Sequence, residues 1–138
     1  MPLQEIGTDV LIVAKFEDIE KGKGAPSASG NMAAHTIRDQ YSGMGAAVPL
    51  AQRTSARYVH NFQWFAGPKV KPDVVCQMDA DAGLITAAKS LGWFPEASMA
   101  NRWPHDATHE RWHVTLKSVV RACNLQAGMP EIAWDLAF

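Results

Sequence analysis

The chain predicts a single α+β domain over residues 1–138, a mixed or antiparallel sheet of about four strands with about three helices packed on one face. Three stretches lead to that class. Asp9-Val-Leu-Ile-Val-Ala-Lys-Phe16 is a continuous apolar and β-branched run, as a central strand requires. From Arg53 to Phe65 the chain alternates, with Ala56, Tyr58, His60, Phe62 and Trp64 on one side and Arg53, Ser55, Arg57, Asn61 and Gln63 on the other. From Asp106 to about Asn124, Trp112, Leu116, Val119, Val120 and Cys123 recur at helical spacing.

The remaining elements follow in order. Lys21 to Gly30 reads as a loop, and its Gly22-Lys23-Gly24 lacks the spacing of a phosphate-binding loop. Asn31 is placed to cap a short helix through Tyr41, with Met32, Ile37 and Tyr41 facing inward. Ser42 to Pro49 is expected to be irregular, which makes the N-terminal half loop-rich. Asp73 to Met78 makes a strand after the Gly67-Pro68-Lys69 turn. Asp79 or Asp81 then caps a helix whose stripe is Leu84, Ala87, Ala88 and Leu91; Gly92 closes it, with Trp93 as the latch. The same two acids also read as a metal pair, although acids at a helix start are explained by capping and the dipole. Pro95 to Trp103 is expected to be irregular, and Ile132, Trp134, Leu136 and Phe138 alternate as a terminal edge strand.

Composition bounds the function. With 47% hydrophobic and 20% charged residues, the chain is expected to form a soluble globular domain. A net charge of −1 without a basic run points away from nucleic-acid and membrane partners. No apolar run approaches the ~18 residues of a membrane span, and Met1 to Glu5 shows no signal peptide. Cys76 and Cys123 form neither a Cys-x-x-Cys pair nor a disulfide framework. Buried free thiols in a reducing cytoplasm, or in an assembled particle, are expected.

Three of the five histidines lie between Pro104 and Leu116, where His109-Glu110-Arg111-Trp112-His113 spells His-Glu-x-x-His. On a helix this sets two imidazoles one turn apart with a carboxylate beside them. The string resembles that of the zincin metallopeptidases. The resemblance implies that His109 and His113 bind Zn²⁺ and that Glu110 acts as general base. In the thermolysin-like branch a Glu-x-x-x-Asp element supplies the third ligand, and Glu131-Ile-Ala-Trp-Asp135 has that form. Glu110-Arg-Trp-His113 also looks like the Glu-x-Trp-His ending of the zinc D-Ala-D-Ala carboxypeptidases, a cell-wall peptide-cleaving family. In that case residues 111–120 would be a strand.

Weighed against this is a non-catalytic structural or interaction subunit of a larger assembly, without a cofactor and in contact with other protein chains as a homo- or hetero-oligomer. The stretch between Lys21 and Pro72 is rich in Trp, Phe, Tyr, Met and Arg, residues enriched at interfaces. Residues 17–50 and the C-terminal strand are expected to carry the contacts, with Phe65, Trp103 or Phe138 as anchors. This assembly role is the leading expectation from the sequence. A zinc-dependent hydrolase is the alternative.

Overall fold

A computed structural model describes residues 4–12, 26–67, 73–98 and 107–138. The expected loop from Lys21 to Gly30 falls partly outside these residues, and Trp103 and the Asp106 cap fall wholly outside them. The described elements are β1 (Gln4–Ile12), β2 (Ala33–Asp39), β3 (Gly45–Leu50), α1 (Ser55–Ala66), β4 (Val74–Met78), α2 (Ala82–Ser90), β5 (Phe94–Ala97), α3 (Ala107–Gln126) and a 3-10 helix (Glu131–Leu136). The five strands lie in the order β3-β2-β1-β4-β5. Strands β1 and β2 are antiparallel, as are β2 and β3; β1 runs parallel to β4, and β4 to β5. The α+β class stands, with a mixed sheet.

Three expected elements change type, each for a physical reason. The helix expected from Asn31 to Tyr41 is strand β2. Lying between β1 and β3 with both faces covered, it buries five consecutive residues, Ala33 to Ile37, and shows no alternation. Tyr41 is 95% exposed at the hairpin tip, where the Asp39 carboxylate accepts from Tyr41 N, Ser42 N and Ser42 Oγ. The expected irregular segment after it is the turn and strand β3.

The alternating segment from Arg53 to Phe65 is helix α1, capped by Thr54, whose side chain accepts from Arg57 N, and ended by Gly67 at φ 88°. Its buried residues are Tyr58, Asn61 and Phe62. The pair Tyr58 and Phe62 is four residues apart, a spacing that satisfies a strand face and a helix face alike. His60 is exposed, and Trp64 is 66% exposed, so the supposed strand face does not exist.

The C-terminal segment is a 3-10 helix, not an edge strand. The adjacent residues Trp134 and Asp135 are both buried while Leu136 is exposed, which a two-residue period forbids. Asp135 Oδ2 accepts from Ser27 Oγ at 2.7 Å and Asn31 Nδ2 at 2.9 Å, and Ala28 N donates to Ile132 O at 2.9 Å. Those bonds tie the chain end to the segment before β2. The segment expected to be irregular from Pro95 begins inside β5.

The strand from Val74 and helix α2 conform to expectation. Asp81 Oδ1 caps α2 through Gly83 N and Leu84 N, Gly92 sits at φ 73°, and Trp93 N returns to Ala88 O at 3.0 Å. Both cysteines are free, but only Cys76 is buried as expected; Cys123 is exposed, because the buried side of α3 is the one that carries Val120 and Asn124.

Helices occupy both faces of the sheet rather than one. On one face Ile6, Ile37, Val74, Cys76 and Met78 pack with Tyr58 and Phe62 of α1 and with Leu84, Ala87 and Ala88 of α2. On the other, Leu11 and Ala34 meet Val120 of α3 and Trp134. None of the described helices is long and apolar enough to cross a membrane.

Candidate functional site

The polar half of the second face is built by strand alternation. Leu11 points to α3, so Asp9 points there too. In β4, Val74, Cys76 and Met78 face the dry core, which turns Gln77 and Asp79 to the α3 side. Thr8 and Met78 are partners in the parallel pairing of β1 with β4. Asp9 and Asp79 therefore stand at the next rung, on neighbouring strands spaced roughly 5 Å apart.

Helix α3 crosses above them, and its buried line is His109, His113, Val120 and Asn124, with Leu116 half-buried. This face is rotated from the expected stripe: Val119 and Cys123 are exposed and Trp112 is half-buried. Facing His109 and His113 inward swings Glu110, in the helix's first turn, to one side. There it lines a cavity of about 270 Å³ together with Asp9, Gln77, Asp79, Glu96, Ser98 and His109. A carboxylate in a helix's first turn is also favoured by the dipole.

Each acid has a defined setting. Asp81, not Asp79, caps α2, and Asp79 Oδ1 instead accepts from Ser98 Oγ at 3.0 Å. Gln77 Nε2 donates to Glu96 Oε2 at 3.5 Å across β4 and β5. Asp9 Oδ1 accepts from Val10 N at 2.7 Å, and Asp9 Oδ2 lies 3.8 Å from His113 Nδ1.

The two helix histidines meet a single hydroxyl. Thr36 Oγ1 donates to Asp9 O at 3.0 Å, and its two lone pairs accept from His109 Nε2 at 3.0 Å and His113 Nε2 at 2.7 Å. That arrangement requires a hydrogen on Nε2 of each ring. Burial, then the neighbouring His113 and Arg38, lowers the His109 pKa to about 3. Burial, then Lys117, lowers that of His113 to about 4, against the pull of Asp79.

The residues expected to hold zinc divide. His109 and His113 come together, ring centroids 4.7 Å apart. Glu131 does not join them: it lines the groove along α3 with Lys117, Arg121 and Asn124, not the cavity that His109 lines. Among the described residues no three His, Cys, Asp or Glu side chains are gathered closely enough, as they stand, to hold a metal ion. Glu110 instead lines the same cavity as Asp9 and Asp79, and all three carboxylates are oxygen donors of the kind that hard divalent cations prefer. From sequence Asp9 stands only at the head of a strand, with no functional part. The signal was there, since a charged residue inside the run Val10 to Phe16 and its Gly7-Thr8 lead has no packing reason to be present.

No family model matches the chain, and no curated protein matches it. Solved structures do match in fold. A chain of the simian T-cell lymphotropic virus intasome, in complex with PP2A regulatory subunit B56 gamma, superposes with a TM-score of 0.68 at 14% identity over 99% of this chain. This chain spans about half, 47%, of that one's length. The HTLV-2 integrase catalytic core domain in complex with magnesium matches in its trimeric form with a TM-score of 0.64 at 12% identity, covering 99% of this chain and 83% of that one. Its dimeric form gives 0.62 at 12%, covering 98% and 81%. At such identities the likeness is one of fold.

Proposed function

We propose that the chain is the catalytic core of a divalent-cation-dependent enzyme that breaks or exchanges phosphodiester bonds in nucleic acid. One observation carries this reading. Asp9 from β1, Asp79 from the end of β4 and Glu110 from the first turn of α3 line one open cavity on a fold shared with magnesium-bound integrase catalytic cores. The transfer from fold to activity is an analogy, and the carboxylate set is what supports it. Asp9, Asp79 and Glu110 would hold a hard cation such as magnesium. Bound there, it supplies charge neutralisation at a phosphoryl oxygen and a more acidic water. The chain's own part is to hold the carboxylates in place from three elements and to leave the cavity accessible to a large substrate.

The net charge of −1 spoke against nucleic acid, but it measures the whole chain rather than one surface. Lys117 and Arg121 fall on the same side of α3 as Glu110 and line the adjoining groove. They place positive charge roughly 10 and 16 Å along the helix from the carboxylate.

The assembly role remains a companion proposal, since a catalytic core can also be a subunit. The intasome neighbour, itself in complex with a protein subunit, supports it, as do the exposed apolar side chains Tyr41, Trp64 and Leu125. A place in the cytoplasm or in an assembled particle accompanies that proposal. A zinc hydrolase would need His109 and His113 to leave Thr36 and a third ligand other than Glu131, so the oxygen set has the better support.

The test is cleavage of a fluorescent DNA duplex with Mg²⁺ or Mn²⁺. Asp9→Asn, Asp79→Asn and Glu110→Gln should each lower the rate by more than about 100-fold, because outer partners of a metal site alone are worth 10–100-fold. A wild-type chain without divalent-dependent cleavage, or a Glu110→Gln chain as active as wild type, overturns the reading.

A further inference from the structure

We infer that Thr36 is a positioning residue, a peg on the sheet that registers the first turn of α3 against β1 and so sets Glu110 opposite Asp9. The inference rests on the carboxylate reading above for its consequence in catalysis. Its geometry stands apart from that reading.

Thr36 on β2 pairs directly with Asp9 on β1. Its hydroxyl donates to the Asp9 carbonyl and accepts from His109 and His113, so one donor and two lone pairs are all in use. Thr36 is fully buried, and both imidazoles are nearly so. A single contact between helix and sheet would act as a pivot. Two contacts from successive turns to one oxygen fix both the rotation of the helix and its position along its axis. Glu110 lies in sequence between the two clamped residues, so its backbone is fixed with them.

The peg is itself held from the opposite face. Thr8 Oγ1 donates to the Thr36 carbonyl at 2.9 Å and accepts from His35 Nε2 at 2.8 Å; His35 Nδ1 in turn meets Asn61 Nδ2 of α1 at 3.2 Å. The polar chain therefore runs through the sheet, from α1 to α3, at the level of Asp9. Removing the Thr36 hydroxyl leaves two buried imidazole N–H groups without their acceptor. That is costly in a low-dielectric interior, and the first turn of α3 relieves it by moving toward water.

Thr36→Val, which keeps the shape, and Thr36→Ser, which keeps the hydroxyl, test this in the full chain. Circular dichroism checks the fold, amide exchange is followed over residues 107–113 and 116–126, and Mg²⁺-dependent DNA cleavage is measured. The Val variant should lose protection in 107–113 but not in 116–126. Its kcat should fall roughly 10–100-fold with KM little changed, because reacting groups move and substrate contacts do not. The Ser variant should keep most of both. A Val variant with wild-type exchange and kcat overturns the inference while leaving the carboxylate reading intact. If wild type cleaves nothing, that reading falls; loss of protection in Val but not Ser would still establish the peg, and unchanged protection would remove it too. Should the Val variant not fold, imidazole ¹⁵N spectra of the wild-type chain decide. Nε2–H tautomers at both His109 and His113 support the clamp, and Nδ1–H at both refutes it.

Discussion

The two faces of the sheet are made by the same strands and have opposite chemistry. Toward α1 and α2 it presents Ile6, Ile37, Val74, Cys76 and Met78, an apolar layer closed by Tyr58, Phe62 and Trp93. Burial there pushes the Cys76 thiol up to about 12. Toward α3 the same strands present Asp9, Thr36, Gln77 and Asp79, and the apolar contact shrinks to Leu11, Ala34, Val120 and Trp134. A one-residue step along a strand changes the face, so a core and a polar site are supported by one backbone ladder. Stability should therefore reside mainly on the first face and chemistry on the second, and mutations should separate them.

The largest stability effect is expected on the dry face. Phe62→Ala should cost about 3–5 kcal/mol in denaturant unfolding, since the fully buried ring packs edge-on against His35 at 5.0 Å and against Trp93. Glu110→Gln should change stability by less than about 1 kcal/mol, the worth of an exposed charge at a helix start. Equal losses from both would break the division of labour.

Acid should act through the histidines at and beneath the polar site. Burial, then His109, lowers the His35 pKa to about 3, and His109 and His113 are lowered to about 3 and 4. The unfolded chain takes up protons near pH 6.5 while the folded chain does not. The stabilisation is therefore complete above about pH 6.5 and is lost progressively as pH falls toward 3–4. The loss should amount to a few kcal/mol in order of magnitude, and His35→Phe should reduce it. A stability profile flat between pH 7 and 4 would contradict the assignment of neutral buried rings.

A smaller effect is expected where β3 meets α3. A Cβ on Gly45 would clash with Trp112 Cζ2, so Gly45→Ala must displace the indole that packs on His109. Overpacking of that kind costs about 1–3 kcal/mol by thermal unfolding. An unchanged melting temperature would show that Trp112 moves freely. Smallest of all, Glu131→Gln should stay within about 0.5 kcal/mol and leave metal-dependent activity unchanged, because Glu131 is exposed and does not line the cavity that Glu110 lines.

Local signals made part of this protein legible from sequence alone. The Asp81 cap, the Gly92 turn with its Trp93 latch, the strand from Val74 and the existence of a long helix through His109 each depend on residues within a few positions of one another. The α+β class holds although one stretch that led to it, Arg53 to Phe65, is helix α1 and not a strand, and Glu110 stood out through its neighbours. Tertiary structure decided the rest. Strand β2 is covered on both sides and so carried no alternation, while α1 imitated a strand because Tyr58 and Phe62 suit either period. The rotation of α3 was set by a threonine on another strand, which drew His109 and His113 inward and turned Val119 and Cys123 outward. That Asp9, Asp79 and Glu110 line one cavity could not be read along the chain, since it depends on the parallel register of β1 with β4 and on where α3 crosses them. Periodicity reports which side of an element is covered; only packing determines what covers it.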